Sequence, residues 1–506
     1  MIEDPTELGK VENLRTDQFR CLLDAEWRDA LQPLCEAADP SEWSDWTQVK
    51  KSTVRSVYRG ELTGPSGTSV AVHLKLFRAV RLSDRARDAV TGSRSEREFR
   101  NLTRASARDL PCVKPLAAGS HFGTWGSRSF LLTQTEPGSP LGRGPLPADV
   151  ARSAGRLLAL AHDAGLHARD LHPGNLLLRP DGEILLLDLT SAYLGEPLDR
   201  EERGRALAYF CLDLDGNVRD PAARPLLHAY ETDDETLDCA LKAGRRLRNR
   251  ALSAFGRRAF RACRTTTLER VPRKPRFCLH NPAQVHWNAA RETLENLTSL
   301  TPMKTGRRGS IYVEGNLMIK ERTAAAARRC FESSYWLQFA RVPSPMPVAL
   351  STFMSRGTFV AERLPYPNLL EDLKSDLDTS TLRLSAAHLG NSIGRLHSFG
   401  LRNRDLKFEN LVRDPTTQVV YTVDLDGVRR RLPNDNRGRI ADLGRLLAAF
   451  RASNSPGGHE VIWTFLRSYI RTCRRLLYPV THLRHVLKQT ESKAGQWAAA
   501  HRVASD

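Results

Sequence analysis

Two short segments of the chain carry the residues best suited to chemistry, RDLHPGNLL at 169–177 and RDLKFENLV at 404–412. Each segment places an asparagine five positions after an aspartate: Asn175 follows Asp170, and Asn410 follows Asp405. On one rigid loop, such an aspartate can accept a hydroxyl proton while the asparagine binds a metal ion. Turns also favour Asp and Asn for their own backbone bonds. The recurrence of the pair, with Arg before Asp both times, favours catalysis.

A further acidic residue follows each loop at the end of a short apolar run. Asp188 ends ILLLD and Asp424 ends VVYTVD, 13 and 14 residues after the loop asparagines. A carboxylate beside an apolar strand is costly unless it is paired or metal-bound, so we expect both to be metal ligands. A role in capping the next turn is the alternative. Asp426 is at best a secondary ligand.

Each loop is preceded by a lysine in a strand-like segment and a glutamate in a helix-like one. Lys75 lies in SVAVHLKLF and is followed by Glu98; Lys320 lies in LMIKE and is followed by Glu332. A strand lysine held by a helix carboxylate can reach nucleotide phosphates. Taken alone, such a lysine is more often solvated, but the order of the motifs favours phosphoryl transfer. The pattern therefore predicts ATP and Mg²⁺ as cofactors and a hydroxyl as acceptor.

Together these motifs resemble the bacterial lipopolysaccharide core kinases, the Kdo and heptose kinases, within the wider protein-kinase-like fold. The similarity lies in GRLLALAHDAGLHARDLHPGNLLL at 155–178 and GRLHSFGLRNRDLKFENLV at 394–412, and extends over about 50–255 and 305–450. The resemblance implies phosphate contacts from Lys75 and Lys320, orienting roles for Glu98 and Glu332, catalytic bases in Asp170 and Asp405, and magnesium binding by Asn175, Asp188, Asn410 and Asp424.

The chain departs from protein kinases in ways that bear on the acceptor. Ala168 and Asn403 stand where a histidine usually precedes Arg-Asp, and the Asp-Phe-Gly element reads DLT at 188–190 and DLD at 424–426. Helical sequence resumes soon afterwards, which leaves a protein substrate little docking surface. A sugar or lipid-linked sugar is therefore the favoured acceptor. An atypical serine/threonine protein kinase, or a pseudokinase pair that binds nucleotide without turnover, is the alternative.

The order of elements predicts an α+β fold of two tandem bilobal protein-kinase-like domains, each with a strand-rich lobe before a helical one. Strand patterns flank the GPSG turn at 64–67, a helical pattern covers 146–166, and a comparable order recurs in the second half. The aspartates are offset by 235 and 236 residues between the halves. We expect the two copies to differ in activity, with the first as the principal catalyst.

The remaining segments set the expected boundaries. Helical spacing of apolar residues over 15–37 predicts that 1–45 is an N-terminal helical extension. The domains then cover 46–262 and 305–506, and a linker with a helix at 286–298 covers 263–304. Pro, Thr and basic residues in that linker are typical of connecting segments.

Composition sets the expected compartment and partners. The 506 residues are 41% hydrophobic and carry a formal charge of +18, and the nine cysteines are scattered. With no secretory signal or apolar span, this predicts a cytoplasmic protein, or a peripheral one on the cytoplasmic face of the inner membrane. The charge would attract anionic acceptors or an anionic membrane surface, but an arginine-rich coding bias explains it equally. Nucleic acid is disfavoured, because the basic stretch 244–261 has two aromatics and no recognised reading motif.

Overall fold

The computed structural model divides the chain into two compact units, unit 1 (residues 1–244) and unit 2 (residues 245–506). The structure describes 11–37, 39, 41, 45–51, 55–79, 88, 90–123, 126–142, 144–214, 221–269, 275–374, 377–430, 436–452, 458–475, 485 and 488–493. Within these residues, no helix has the length and apolar character needed to cross a membrane.

Unit 1 is a mixed α+β unit built on one large antiparallel sheet. Its strands are β1 (Val11–Arg15), β2 (Arg20–Asp24), β3 (Thr47–Lys51), β4 (Arg55–Thr63), β5 (Ser69–Ala79), β6 (Pro115–Gly123), β7 (Gly126–Gln134), β8 (Ser139–Pro140), β9 (Leu166–Ala168), β10 (Leu176–Leu178), β11 (Ile184–Leu186) and β12 (Ala192–Leu194). Its helices are α1 (Arg28–Glu36), α2 (Arg94–Ser106), α3 (Ala148–Asp163), α4 (Arg200–Leu214), α5 (Arg224–Ala229) and α6 (Asp234–Arg258), and the unit boundary falls within α6. The seven-stranded sheet has the order β1-β2-β6-β7-β5-β4-β3.

Unit 2 contains a second seven-stranded sheet, followed by helices. The strands are β13 (Thr266–Glu269), β14 (Arg276–His280), β15 (Lys304–Gly306), β16 (Gly309–Glu314), β17 (Leu317–Thr323), β18 (Pro347–Phe353), β19 (Arg356–Glu362), β20 (Leu401–Asn403), β21 (Leu411–Arg413), β22 (Val420–Thr422) and β23 (Val428–Arg430). The helices are α7 (Trp287–Glu295), α8 (Ala324–Phe339), α9 (Leu369–Lys374), α10 (Thr379–Ser398), α11 (Asn436–Ala452) and α12 (Gly458–Arg475). The sheet order, β13-β14-β18-β19-β17-β16-β15, repeats that of unit 1 position for position.

The N-terminal segment is not the helical extension that its spacing predicted. Two strands, β1 and β2, occupy much of it, and β2 pairs with β6 inside the large sheet. Cys21, Leu22 and Leu23 are all buried in succession. Such a run mimics helical spacing, because a strand covered on both faces shows no alternation. Among the described residues of this segment, the helix longer than one turn is α1, with Leu31 and Leu34 buried.

The segment 263–304 is likewise part of a unit and not a linker. Strands β13 and β14 lie within it, and β14 pairs with β18 of the unit 2 sheet. The boundary falls earlier, between residues 244 and 245. The helix expected at 286–298 is present as α7. Proline and basic residues are compatible with this location because β13 lies at the edge of the sheet.

Other predicted elements are found close to their expected positions. The hairpin around GPSG is formed by β4 and β5, with Gly67 at φ +77°, where a residue with a side chain would be strained. The helix expected at 146–166 is α3, and α10 is the comparable helix before the loop of unit 2. Residues 245–258 of the basic stretch belong to unit 2 and pack against its core: Leu252 is buried and Phe255 contacts Tyr335. This stretch is therefore a core helix with a basic outer face.

Candidate active site

In unit 1 a hydrogen-bonded loop holds the predicted aspartate and asparagine. A short 3₁₀ turn, Pro173–Asn175, follows Asp170 and leads into β10. The Asn175 side-chain amide donates to the Asp170 carbonyl over 3.2 Å, and the Asn175 carbonyl accepts from the Leu187 amide over 3.0 Å. Because Leu187 precedes Asp188, this last bond fixes the loop beside the strand-end carboxylate.

The lysine and glutamate of unit 1 form a buried ion pair. Lys75 Nζ on β5 lies 2.5 Å from Glu98 Oε1 on α2, and their side chains are 15% and 0% exposed. The helix is positioned by a capping box in which Ser93 and Glu96 bond each other's backbone amides. A cation is thereby fixed close to Asp188.

Thr190 connects this pair to Asp188. Its hydroxyl lies 2.8 Å from both Glu98 Oε2 and Asp188 Oδ1. Arg55 Nη1 approaches the other Asp188 oxygen at 3.4 Å. The structure therefore brings Lys75, Glu98 and Asp188 into one polar cluster beside the loop.

The two carboxyl groups of this cluster shift in opposite directions. Burial raises the pKa of Glu98, and the negative charge of Asp188 adds to this, although Lys75 opposes both. Burial also acts to raise the pKa of Asp188, but Lys75, the Thr190 bonds and Arg55 outweigh it, so that pKa lies below its ordinary value. Asp188 is thus held ionised, as a cation ligand must be.

The Asp170 carboxylate is exposed and accepts a hydrogen bond from the Ser191 hydroxyl. Ser191 follows Thr190, so two consecutive hydroxyl side chains contact the cluster and the loop. One carboxylate oxygen is therefore oriented from the segment that also carries Asp188. This places the Asp170 carboxylate at the solvent-facing edge of the site.

Unit 2 repeats the loop geometry. The Asn410 side-chain amide donates to the Asp405 carbonyl over 2.9 Å, and the Asn410 carbonyl accepts from the Val423 amide over 3.0 Å. Val423 precedes Asp424, as Leu187 precedes Asp188. The Asn403 side chain accepts from the Asp405 amide over 3.1 Å. Both predicted loops therefore share the two asparagine bonds, and unit 2 adds the Asn403 bond.

The predicted pair of Lys320 and Glu332 is not formed. Lys320 Nζ contacts Asp424 Oδ1 at 2.9 Å, and the α8 residue that contacts the neighbouring segment is Cys330, whose thiol lies 2.6 Å from Asp426 Oδ1. Residues two positions apart point to different sides of a helix, so Glu332 cannot share the direction of Cys330. Burial raises the pKa of Glu332, with Arg328 and Arg430 opposing.

The loop asparagines and strand-end aspartates fit a magnesium ion. Each asparagine uses its amide nitrogen to bond the loop backbone, which leaves its side-chain oxygen without a hydrogen-bond partner among the described residues. Asp188 and Asp424 both have pKa values below the ordinary range: burial opposes this in each, but a lysine, hydrogen bonds and an arginine together outweigh burial. The described residues contain no cluster of three or more His, Cys, Asp and Glu side chains suited to a metal. One carboxylate with substrate phosphates is the usual magnesium arrangement.

Comparison with known proteins gives one informative likeness. No protein-family model matches the chain. The chain is 25% identical over 193 residues to a 3-deoxy-D-manno-octulosonic acid kinase of Xylella fastidiosa (strain M12). The match covers 37% of this chain and 71% of that protein. This distant likeness suggests a kinase.

Several site residues were not expected from the sequence. Arg55, Thr190 and Ser191 contact Asp188, Glu98 or Asp170 in unit 1, and Arg322 pairs with Asp426 at 3.3 Å in unit 2. The position two residues after the strand-end aspartate was a usable signal. It is Thr190 in one unit and Asp426 in the other, which already indicates different partners.

Proposed function

We propose that the chain is an ATP- and Mg²⁺-dependent kinase that phosphorylates a hydroxyl of a sugar or glycolipid, with unit 1 as the catalytic unit. The observation that carries this proposal is the buried pair of Lys75 and Glu98, joined through Thr190 to Asp188. A fixed lysine next to an ionised strand-end aspartate is the arrangement that phosphoryl transfer requires.

In this mechanism the residues of unit 1 position the reactants. Lys75, held by Glu98, would contact the nucleotide phosphates. Asn175 and Asp188 would hold the magnesium ion, which would neutralise charge on the transferring phosphate. Asp170 orients the acceptor hydroxyl and takes its proton. The Ser191 hydroxyl, by bonding one oxygen of Asp170, keeps the other directed toward the acceptor.

Unit 2 fits a different role within the same proposal. Its lysine is paired directly with the aspartate that would bind metal, and Cys330 contacts Asp426 where Glu98 contacts Thr190 in unit 1. A cation bound at Asp424 would therefore compete with Lys320. We propose that unit 2 contributes little turnover, which corresponds to the pseudokinase alternative for this unit alone. The repeated sheet order supports an origin of the two units by duplication.

The proposed acceptor class rests on the similarity to the sugar-acid kinase and on the positive charge of the chain. The kinase that resembles this chain acts, by its name, on a sugar acid. The formal charge of +18 favours an anionic acceptor and contact with an anionic membrane surface. Phosphorylation of sugars or lipid-linked sugars is therefore proposed ahead of protein phosphorylation.

The test is a transfer assay with the full chain, labelled ATP and Mg²⁺. Acceptors should include free and lipid-linked sugar acids, neutral sugars and a generic protein substrate. We expect label on a saccharide, and none with the Asp188→Asn variant. Label only on protein would replace the acceptor assignment, and no label together with no Mg-ATP binding would overturn the kinase assignment.

A further inference from the structure

A cavity of about 520 Å³ in unit 2 is lined by an unusual number of arginines. Its volume lies within the range of ordinary ligand pockets. Asp405 and Asp426 are also on its wall. The six arginines come from the β15–β16 turn, β17, α8, the catalytic-type loop and β23: Arg307, Arg308, Arg322, Arg329, Arg404 and Arg429.

Among the described residues, most of these guanidinium groups have no ion-pair partner. Arg322 is paired with Asp426, and Arg429 donates to the carbonyls of Asp426 and Val428. The other four guanidinium groups have no ion-pair or hydrogen-bond partner among the residues that the structure describes. Six guanidiniums against two carboxylates leave a formal charge of +4 around one cavity.

The crowding of these groups is itself unfavourable. Burial lowers the pKa of Arg429, and the neighbouring charges of Arg329 and Arg404 lower it further. Like charges gathered from five separate elements repel unless an anion lies between them. The cavity is thus arranged for an anion beyond the two carboxylates that the described residues supply.

Three charged residues of the cavity wall have no charged counterpart in unit 1, although Arg404 corresponds to Arg169. Counted from the strand lysine, Arg322 corresponds to Phe77; counted from the strand-end aspartate, Asp426 and Arg429 correspond to Thr190 and Tyr193. An apolar and two neutral side chains thus stand in unit 1 where unit 2 has charged ones. The strand order that the two units share does not explain these charged side chains.

We propose that this cavity is a binding site for a ligand with two clustered phosphate groups, and that unit 2 uses its kinase-like loop to hold that anion. Two phosphate monoesters carry about −3 to −4 charge at neutral pH, which matches the formal charge of the cavity. Planar guanidinium groups bind phosphate oxygens in pairs, so several phosphates can be held without recognition of a base or sugar. This goes beyond the reaction of unit 1.

The test is calorimetric titration of the full chain with inorganic pyrophosphate, without magnesium or nucleotide. We expect saturable binding that weakens about tenfold or more in the Arg307→Ala/Arg308→Ala double variant. Both residues are exposed in a turn, so the fold should persist, which circular dichroism would check. The matched control is Arg15→Ala/Arg356→Ala, which removes the same charge from exposed positions outside the cavity and should leave the Kd within about twofold.

A second arm distinguishes a free ligand from a lipid headgroup. Phosphatidylcholine vesicles containing phosphatidylinositol bisphosphate are compared with vesicles of equal charge made with phosphatidylserine. Arginine-dependent binding of pyrophosphate alone supports a free ligand, and arginine-dependent binding of the bisphosphate vesicles supports a lipid source. Equal loss in the cavity and control variants, equal binding to both vesicles with no pyrophosphate binding, or no binding of either probe would overturn the proposal.

Discussion

The two units have the same sheet order and the same loop asparagine bonds, but the side chains at corresponding site positions contact different partners. Their seven-stranded sheets have one strand order, and each loop asparagine bonds the strand that ends in an aspartate. In unit 1 the lysine is held by a glutamate and the aspartate is bonded by a threonine; in unit 2 the lysine contacts the aspartate directly. The comparison shows that identical motif residues acquire different partners when their neighbours change.

The largest difference should be seen when each loop aspartate is replaced. Asp170→Asn should lower kcat by about 10² to 10⁴, because it removes the group that takes the acceptor proton. Asp405→Asn should leave kcat within about threefold, because unit 2 is assigned little turnover. Steady-state kinetics on both variants, with folding checked by circular dichroism, would measure this. Equal losses in the two variants would contradict the assignment.

The next effect concerns the carboxylate that orients the lysine. Glu98→Gln should lower kcat/KM by about tenfold or more, since Lys75 loses the charge that fixes it. Glu332→Gln is the matched control on the corresponding helix and should change kcat/KM by less than about twofold. A larger effect of Glu332→Gln would mean that the Lys320 pair seen here is not the working arrangement.

The decrease of kcat/KM at acidic pH should report the protonation of Glu98. Its raised pKa means that it gains a proton, and releases Lys75, at a pH above the ordinary glutamate range. We expect kcat/KM to fall about tenfold per pH unit below that raised pKa. Asp188, whose pKa is lowered, loses its charge only at lower pH. In Glu98→Gln the upper decline should be absent, and its persistence would assign the titration elsewhere.

A smaller effect concerns stability and a histidine of unit 1. Burial lowers the pKa of His162 to about 3 from an ordinary 6.5, and its Nδ1 lies 2.8 Å from the Tyr230 hydroxyl. The unfolded chain therefore binds a proton that the folded unit excludes. Stability is fully present above pH 6.5 and is lost toward pH 3, by up to about 1.4 kcal/mol per pH unit.

The measurement is the slope of unfolding free energy against pH for the wild type and His162→Gln. The variant should show a shallower slope over this window, whatever its absolute stability. His280 of unit 2, with a pKa lowered to about 4 chiefly by burial, provides the comparison: His280→Gln should reduce the slope over a narrower range. An unchanged slope in both variants would exclude these histidines as the source.

Local patterns predicted the site residues well where one element decides the position. Lys75 lies on a strand, Glu98 on a helix, and the aspartate–asparagine loops precede short strands, as their spacing indicated. The roles assigned to them remain predictions. These positions were predictable because turn geometry and helix periodicity act over a few residues.

Local patterns could not predict which side chains pair with each other, or which segments join a sheet. Glu332 was wrong as the partner of Lys320 because its direction depends on the rotation of α8 against β17, which spacing along the chain does not specify. Strands β2 and β14 were missed because each is completed by pairing with a distant strand, β6 or β18. The arginine cavity likewise gathers side chains from five elements and has no contiguous signature.

The backbone bond between each loop asparagine and the residue before the strand-end aspartate provides a natural isotope-exchange probe. The amide protons of Leu187 and Val423 are both held by these asparagine carbonyls, at 3.0 Å in each unit. Each can exchange with deuterium only when the loop separates from its strand. A divalent ion held jointly by Asn175 and Asp188 would resist that separation and slow exchange at Leu187. The exchange rates of the two amides therefore report loop opening separately for each unit in a single experiment.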